Sequence, residues 1–319
     1  MLFKKKALYI MVITLLFMVW CIISISEPKN LQGQKQSKEK ISILYSDTED
    51  YEIYSVEKIS YQTINCENAI NVLFSQKDDL DIKTEAEETG YVQSEAGDYL
   101  QFDDHSLVYN SAGYEEVYDS FQKNKVQKYS LDNRLSFGNA EEIYAQIGLF
   151  LSSIDIPVDE LSYSCYVISE NEKSGGNNQE YYYFLIWQTV NGYPMISNYF
   201  GNDINSESNV VPINIIYSEK GFEYIHINQL YSLQIENKQN DILSLDEIVA
   251  KIEFKYNQLL NGAAYYSDRV YLGYLILDIP EKKKTAIPVW ITYITENYNA
   301  ETYQYLEIYN ALSGEEIVL

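Results

Sequence analysis

Two capped helices, each followed by strand-like runs joined through tight turns, constrain this chain most. Asn139, with Glu142 three residues on, forms one capping box, and Ser244-Leu245-Asp246-Glu247 forms another. Behind the first, Ile143, Ile147, Phe150, Leu151 and Ile154 recur at helical spacing, and Pro157 helps to end the run. Strand-like stretches follow at 161–169, 181–190, 194–200, 210–217 and 222–227. Asn191-Gly192 is a strong tight-hairpin signal, and Ser218-Glu219-Lys220-Gly221 is a second turn. Behind the other cap, Leu245, Ile248, Val249, Ile252, Tyr256, Leu259 and Leu260 make one apolar stripe. Strand-like runs then fall at 270–279, 287–294 and 303–311, and 317–319 closes the sequence. The order helix, strand, hairpin, strand thus occurs twice, in element order rather than residue identity. One helix followed by hairpin-linked strands cannot build parallel βαβ units. The expected fold class is therefore α+β: an N-terminal transmembrane helix, then tandem helix-on-antiparallel-sheet modules.

The opening of the chain sets the expected compartment. Lys4, Lys5 and Lys6 precede nineteen uncharged residues, Ala7 to Ile25, which is long enough to cross a bilayer core as a helix. Lysines stay on the cytoplasmic side, so the bulk of the chain is expected outside, with the membrane as a partner through residues 7–25. Two rivals remain. A cleaved export signal has a shorter apolar run and a small-x-small cleavage site, which Cys21 to Ser26 supply poorly. A lipidated Cys21 needs a small residue before it, where Trp20 stands.

Residues 1–26 are expected to be an anchor with a short cytoplasmic tail, and the polar stretch 27–40 a stalk. Residues 41–135 are expected to form an N-terminal extracytoplasmic α+β region, with a helix near 67–75 and a hairpin around Asp103-Asp104-His105. The modules are placed at 136–240 and 241–319.

Charge and chemistry exclude several functions. The chain carries 47 Asp+Glu against 23 Lys+Arg, a formal net charge of -24. Three of the lysines lie in the first 26 residues, so the rest holds 20 basic and 47 acidic groups, a net of -27. A phosphate backbone needs a basic face, so no nucleic-acid partner is expected. No nucleophile-elbow, metalloprotease-helix or phosphate-loop motif occurs, and the acidic clusters lack calcium-loop spacing. No catalytic residue, cofactor or metal site is therefore expected. His105, beside Asp103 and Asp104, reads first as a polar hairpin tip and second as half of a carboxylate–histidine pair. His226 reads as a strand residue. Cys66 and Cys165 form a candidate disulfide outside the membrane.

Tyrosine is abundant, at 32 residues. It suits half-buried strands, and it also anchors interfaces and stacks on sugars. Tyr181, Tyr182 and Tyr183, with Tyr265 and Tyr266, are the candidate interaction residues.

The C-terminal stretch carries a family likeness. Ile287-Pro288-Val289-Trp290 opens a strand, and a later strand ends Asn310-Ala311-Leu312-Ser313-Gly314-Glu315-Glu316-Ile317. This resembles the close of PepSY-type modules, in which a Pro-x-Trp strand precedes Asn-Ala-x-x-Gly-Glu-x-Ile. The helix at 244–260 sits where such modules place theirs, and the Asn191-Gly192-Tyr193-Pro194 turn is similar to the hairpin of a neighbouring half. The arrangement as a whole also resembles YycI-type accessory regulators of a cell-wall sensor kinase. The resemblance implies a non-enzymatic accessory protein that binds an envelope partner such as a sensor kinase or protease. A surface module for wall glycan or peptide is the alternative, and a paired-acid hydrolase a third reading.

Overall fold

The computed structural model describes residues 34–36, 41–46, 51, 53–74, 90–123, 125–169, 180–197, 211–239, 241–277, 284–299 and 301–318. They form two compact units that interleave along the sequence. The first holds Tyr61–Gln188 and Val211–Tyr231; the described residues of the second fall within Glu27–Ser60, Thr189–Val210 and Ser232–Leu319.

The first unit is built on an antiparallel sheet. Its strands, in spatial order, are β4 (Tyr91–Gln93), β5 (Tyr99–Asp103), β6 (Ser106–Asn110), β12 (Gly221–Asn228), β11 (Ile213–Ser218), β9 (Tyr181–Val190), β8 (Leu161–Ser169) and β7 (Lys125–Lys128). Three helices belong to it: α1 (Cys66–Leu73), α2 (Tyr114–Lys123) and α3 (Ala140–Ser153). The Asn139 box forms as the sequence predicts: its side chain accepts from the Glu142 N–H at 2.8 Å, and Glu142 accepts from the Asn139 N–H at 3.1 Å. The α3 stripe of Ile143, Ile147, Phe150 and Leu151 packs with Tyr182, Phe184 and Ile186 of β9 and with Ile213, Ile215, Ile225 and Ile227. The opposite face of β9, Tyr181, Tyr183 and Leu185, packs with Val117 of α2 and Val126 of β7. Each large side chain so buried stabilises the unit by roughly 1.5–3 kcal/mol. A central strand covered on both faces explains the near-continuous apolar run of β9 without parallel neighbours.

The second unit has a mixed sheet. Strand β16 (Thr285–Tyr298) pairs along one edge with β15 (Val270–Leu277) and then β14 (Ala264–Ser267); β17 (Glu301–Asn310) pairs along its other edge. Beyond β15 lies β10 (Tyr193–Ser197), and beyond β14 lie β2 (Ile41–Ser46) and β1 (Gln34–Gln36). Helix α4 (Leu245–Asn257) starts at the Ser244 box and buries Ile248, Val249, Ile252 and Tyr256. Strands β3 (Ile53–Tyr61) and β13 (Tyr231–Gln239) make a separate pair. The tight turn at Asn191-Gly192 has φ of 49° and 83°, as a two-residue hairpin requires, and joins Val190 to Tyr193.

The structure corrects the expected fold class. Strand exceeds helix by 50% to 22%, so the architecture is mostly β rather than α+β modules with one helix apiece. The sheet is mixed: β10 pairs with β15, and β2 with β14, in parallel. Local reason lies at Gly273 of β15, where a Cβ would stand 2.7 Å from the Pro194 carbonyl oxygen and 2.7 Å from Ile291. Only glycine lets β10 close on β15 there, and that contact draws β10 away from a simple meander. The units also interleave in sequence, whereas the modules were expected end to end.

The membrane-anchor expectation has no counterpart among the described residues. No helix among the described residues is long and apolar enough to cross a membrane. Helix α3, with 14 residues, reaches about 21 Å against a core of about 30 Å. The run Ala7–Ile25 itself lies outside the described residues, as does most of the stalk.

Candidate interaction surface

Four of the five candidate tyrosines are core residues, so the expected interaction role is corrected for them. Tyr181 and Tyr182 are fully buried in β9, and Tyr183 nearly so. The Tyr182 hydroxyl donates to the Gly138 carbonyl at 2.8 Å and accepts from the Leu135 N–H at 2.7 Å, which ties the loop before α3 to the sheet. Burial pushes its pKa up to about 12, with smaller contributions from Tyr129 and Cys165. Tyr183 donates to Asn214 at 2.9 Å. Tyr265 is buried beside Tyr256, with ring centres 4.5 Å apart. Tyr266, on β14, is half-buried. The physical cause is shared: these rings sit on covered strands, where their hydroxyls find fixed partners.

Both cysteines are free thiols, which corrects the disulfide expectation. The Cys66 sulfur lies 3.4 Å from the Asp103 carbonyl oxygen. Burial, then the carboxylates of Asp104 and Asp103, push its pKa up to about 11, so it stays a thiol at neutral pH. Burial, followed by Glu141, raises Cys165 further.

His105 sits at the β5–β6 hairpin tip, as the sequence predicts. Its N–H donates to Asp103 at 2.8 Å, its Nδ1 lies 3.1 Å from the Gln62 carbonyl, and its ring packs on Tyr61. Burial alone would raise the Asp103 carboxyl, but hydrogen bonds from His105 and Ser106 outweigh it and hold it below its usual value. These bonds make the hairpin turn. His226 is enclosed on β12, where burial lowers its pKa and favours the neutral ring.

Sequence reasoning missed two buried carboxylates. In the first unit, Glu223 is 5% exposed on β12. It accepts from the Ser111 hydroxyl and, at 2.6 Å, from Ser218. In the second unit, Glu307 is 5% exposed on β17. It accepts from Lys255 of α4 at 2.6 Å, from Tyr256 at 2.5 Å and from Tyr309 at 2.6 Å. Lys255 also holds Glu316 at 2.8 Å, and the Tyr305 hydroxyl lies 3.1 Å from that of Tyr256. Burial would lower the Lys255 ammonium, but its hydrogen bonds to Glu307 and Glu316 outweigh that and raise it. Burial and Glu307 raise Tyr256 and Tyr309 strongly, and burial takes Tyr305 up to about 12. Every polar atom named in this cluster serves another within it, so it fastens α4 to β17.

The residues that carry the PepSY likeness do the same kind of work. Trp290 is fully buried, and its indole N–H donates to the Leu243 carbonyl at 3.1 Å. The Asn310 side chain accepts from the N–H groups of Leu312 and Ser313, closing the turn after β17. Gly314 has φ of 68°, and a Cβ there would lie 2.7 Å from Leu243, so the turn needs glycine on both counts.

What faces solvent lies beyond this cluster. Where β16 turns into β17, Tyr298 is 43% and Tyr303 is 51% exposed. Glu296 pairs across from Tyr303, and Glu301 across from Tyr298. Beyond Tyr305 along the strand come Leu306 and Ile308, which pack with Leu275, Val289 and Ile291 on the sheet's other face. The signal in the sequence was available: Thr-Glu-Asn-Tyr-Asn at 295–299 and Glu-Thr-Tyr at 301–303 are too polar for a covered strand end.

The comparisons bear on the fold alone. No family model matches the chain, and no curated protein matches it. Among solved structures, the chain is similar to an uncharacterized protein from Eubacterium rectale, with a TM-score of 0.64 at 16% identity. That match covers 91% of this chain and 94% of the other, so the likeness in fold extends over most of both.

Proposed function

We propose that this chain is a non-enzymatic accessory protein that works outside the cytoplasm by binding an envelope protein, such as a sensor kinase or protease. The observation that carries this reading is the exposed end of the β16–β17 hairpin, where Tyr298 and Tyr303 stand in solvent beside Glu296 and Glu301. Tyrosine contributes large contact area at low conformational cost, which makes it a frequent anchor of protein interfaces. Two further points support it. The buried acids, Glu223 and Glu307, are each engaged by structural partners within their own unit. The resemblance of residues 287–290 and 310–317 to PepSY-type modules, and of the whole to YycI-type regulators, points to the same role. The mechanism is a population shift: the partner's two states contact this surface differently, and binding favours one of them. The glycan-binding alternative, which rested on the Tyr181 and Tyr265 clusters, draws no support from residues that lie in the core.

The test is site-specific photocrosslinking of full-length protein in cells. A crosslinker at position 303 is expected to capture one envelope protein, and a crosslinker at Leu131, exposed on the first unit, is not. Capture of wall glycan alone at position 303 would overturn the reading.

A further inference from the structure

The outer edge of β17 carries backbone groups without partners among the described residues. Among the described strands, β17 pairs with β16 alone, along one side. In an antiparallel strand, alternate residues aim both backbone groups to the same side. At the inner side, the Ala311 N–H donates to the Pro288 carbonyl at 2.9 Å, so odd-numbered residues face β16. At the outer side, Ile308 accepts from the Ile317 N–H at 2.8 Å, and the Asn310 N–H donates to Glu315 at 2.8 Å. Even-numbered residues therefore face outward. Thr302, Gln304 and Leu306 continue that row, and their outward N–H and C=O groups have no partner among the described residues.

The same edge already carries a short bridged segment. Residues Glu315 to Ile317 run antiparallel to β17 and bridge at Tyr309 and Glu316. They occupy the edge at 308 and 310, and no other described residue pairs with it from 306 to 302. The edge thus has the spacing and twist for strand addition, since part of it is used that way by the chain's own tail.

The side chains beside the open stretch define what would fit. On one face of β17 stand Glu301, Tyr303 and Tyr305, with Glu296 across from Tyr303. Lys255 is held by Glu307 and Glu316, and Arg269 lies 5.3 Å from the ring of Tyr293, which pairs with Leu306. On the other face stand Thr302, Gln304 and the half-buried Leu306. A strand laid on this edge meets carboxylates and tyrosine rings on one face and a short, partly apolar row on the other.

Resting on the protein-binding role proposed above, we infer that the β17 edge from Thr302 to Leu306 binds an extended basic peptide segment as an added strand. Main-chain hydrogen bonds to Thr302, Gln304 and Leu306 supply the register. Alternate Lys or Arg side chains of the peptide reach Glu296 and Glu301 and lie against Tyr303, while its aliphatic residues meet Leu306.

The experiment uses full-length protein and a ten-residue peptide of alternating Lys and Val, with a Glu–Val peptide as control. The Lys–Val peptide is expected to bind with an affinity that falls as salt rises, and to slow amide exchange at Thr302, Gln304 and Leu306. Gln304→Pro removes an outward N–H that β16 does not use, as edge strands tolerate. It is expected to weaken binding about tenfold or more. Should that variant unfold, Glu296→Lys with Glu301→Lys gives the same reading through charge. Equal binding of the Glu–Val peptide, or binding that leaves the three amides unprotected, would overturn the inference. So would a self-associated protein that Gln304→Pro converts to monomer, because a second copy would then be the occupant. If crosslinking at position 303 still captures its envelope protein in the Gln304→Pro variant, the edge inference fails while the protein-binding role stands.

Discussion

Each unit buries one glutamate on a strand, and the two handle it differently. In the first, Glu223 receives only neutral hydroxyl donors, Ser111 and Ser218. In the second, Glu307 receives a lysine and two phenols, and the lysine reaches on to Glu316. Removing a carboxylate from water costs several kcal/mol, and that cost must be offset locally. Hydroxyls offset it through two short bonds in one loop corner. Lysine offsets it with charge, and because it comes from α4 it makes the helix-to-sheet contact depend on an ion pair. Both solutions join segments far apart in sequence, Ser111 to Glu223 and Lys255 to Glu307, but only the second includes an ammonium, whose pKa is raised above its ordinary value.

The largest expected effect breaks the second solution. Lys255→Met keeps the stem of the side chain but strips Glu307 of its counter-charge. Loss of one partner of a fully buried pair costs about 3–5 kcal/mol. Lys255 is 36% exposed, so solvent screening reduces the expected loss to about 2 kcal/mol. Denaturant unfolding of the two proteins at pH 8 measures it. A loss under about 0.5 kcal/mol would mean that the phenols alone satisfy Glu307.

The same variant sharpens the comparison through pH. Lys255 has a raised folded pKa, so its contribution is complete below its unfolded value of 10.5 and is lost as pH rises through the folded value. Tyr305, raised to about 12, has the same sign from an ordinary value of 10.0 upward. The stability gap between wild type and Lys255→Met is expected to be constant from pH 7 to about 9.5 and to narrow as pH rises past the ordinary lysine value of 10.5. A gap that stays constant throughout would remove Lys255 as the titrating group.

Ser111→Ala tests the first unit's solution. It removes one of two hydroxyl donors to Glu223, and a hydrogen bond to a charged group is worth about 1.5–3 kcal/mol. The expected loss is about 1.5 kcal/mol, because the half-buried corner admits a replacement water. Unlike the Lys255 gap, this one is expected to hold flat between pH 8 and 11, since no lysine takes part. Closure of the gap at high pH would erase the distinction between the units.

Local features were legible in the sequence, and long-range pairing was not. Strand 161–169 and strand 181–190 fall where the apolar runs end, and both capping boxes form, because turns and caps are decided by residues within a few positions. Helix α2 was missed although Tyr114, Val117 and Phe121 repeat at helical spacing; its acidic first turn masked the stripe. The parallel partners of β10 and β2 depend on segments some 80 and 220 residues away, which no local pattern records. Glu223 and Glu307 looked like two of 47 surface acids, for only their distant donors reveal that they are buried. The tyrosines misled for a related reason. Composition cannot separate a ring on a doubly covered strand, such as Tyr182, from one at an open strand end, such as Tyr303.

That last contrast yields the smallest expected effect on stability and the most informative one on function. Tyr303→Ser removes a ring that is half in water and whose hydroxyl bonds only to the neighbouring Glu301. Surface changes of this kind stay within about 0.5 kcal/mol, so unfolding is expected to be almost unchanged. Tyr182→Phe, in the first unit, keeps the ring but removes a hydroxyl that joins Gly138 and Leu135, and is expected to cost about 1–2 kcal/mol. If Tyr303 anchors a partner, the ranking reverses when partner capture is measured: Tyr303→Ser reduces capture several-fold and Tyr182→Phe leaves it intact. Equal capture by both variants would mean that the exposed end of the hairpin is solvated surface, and that binding, where it occurs, uses another face of the protein.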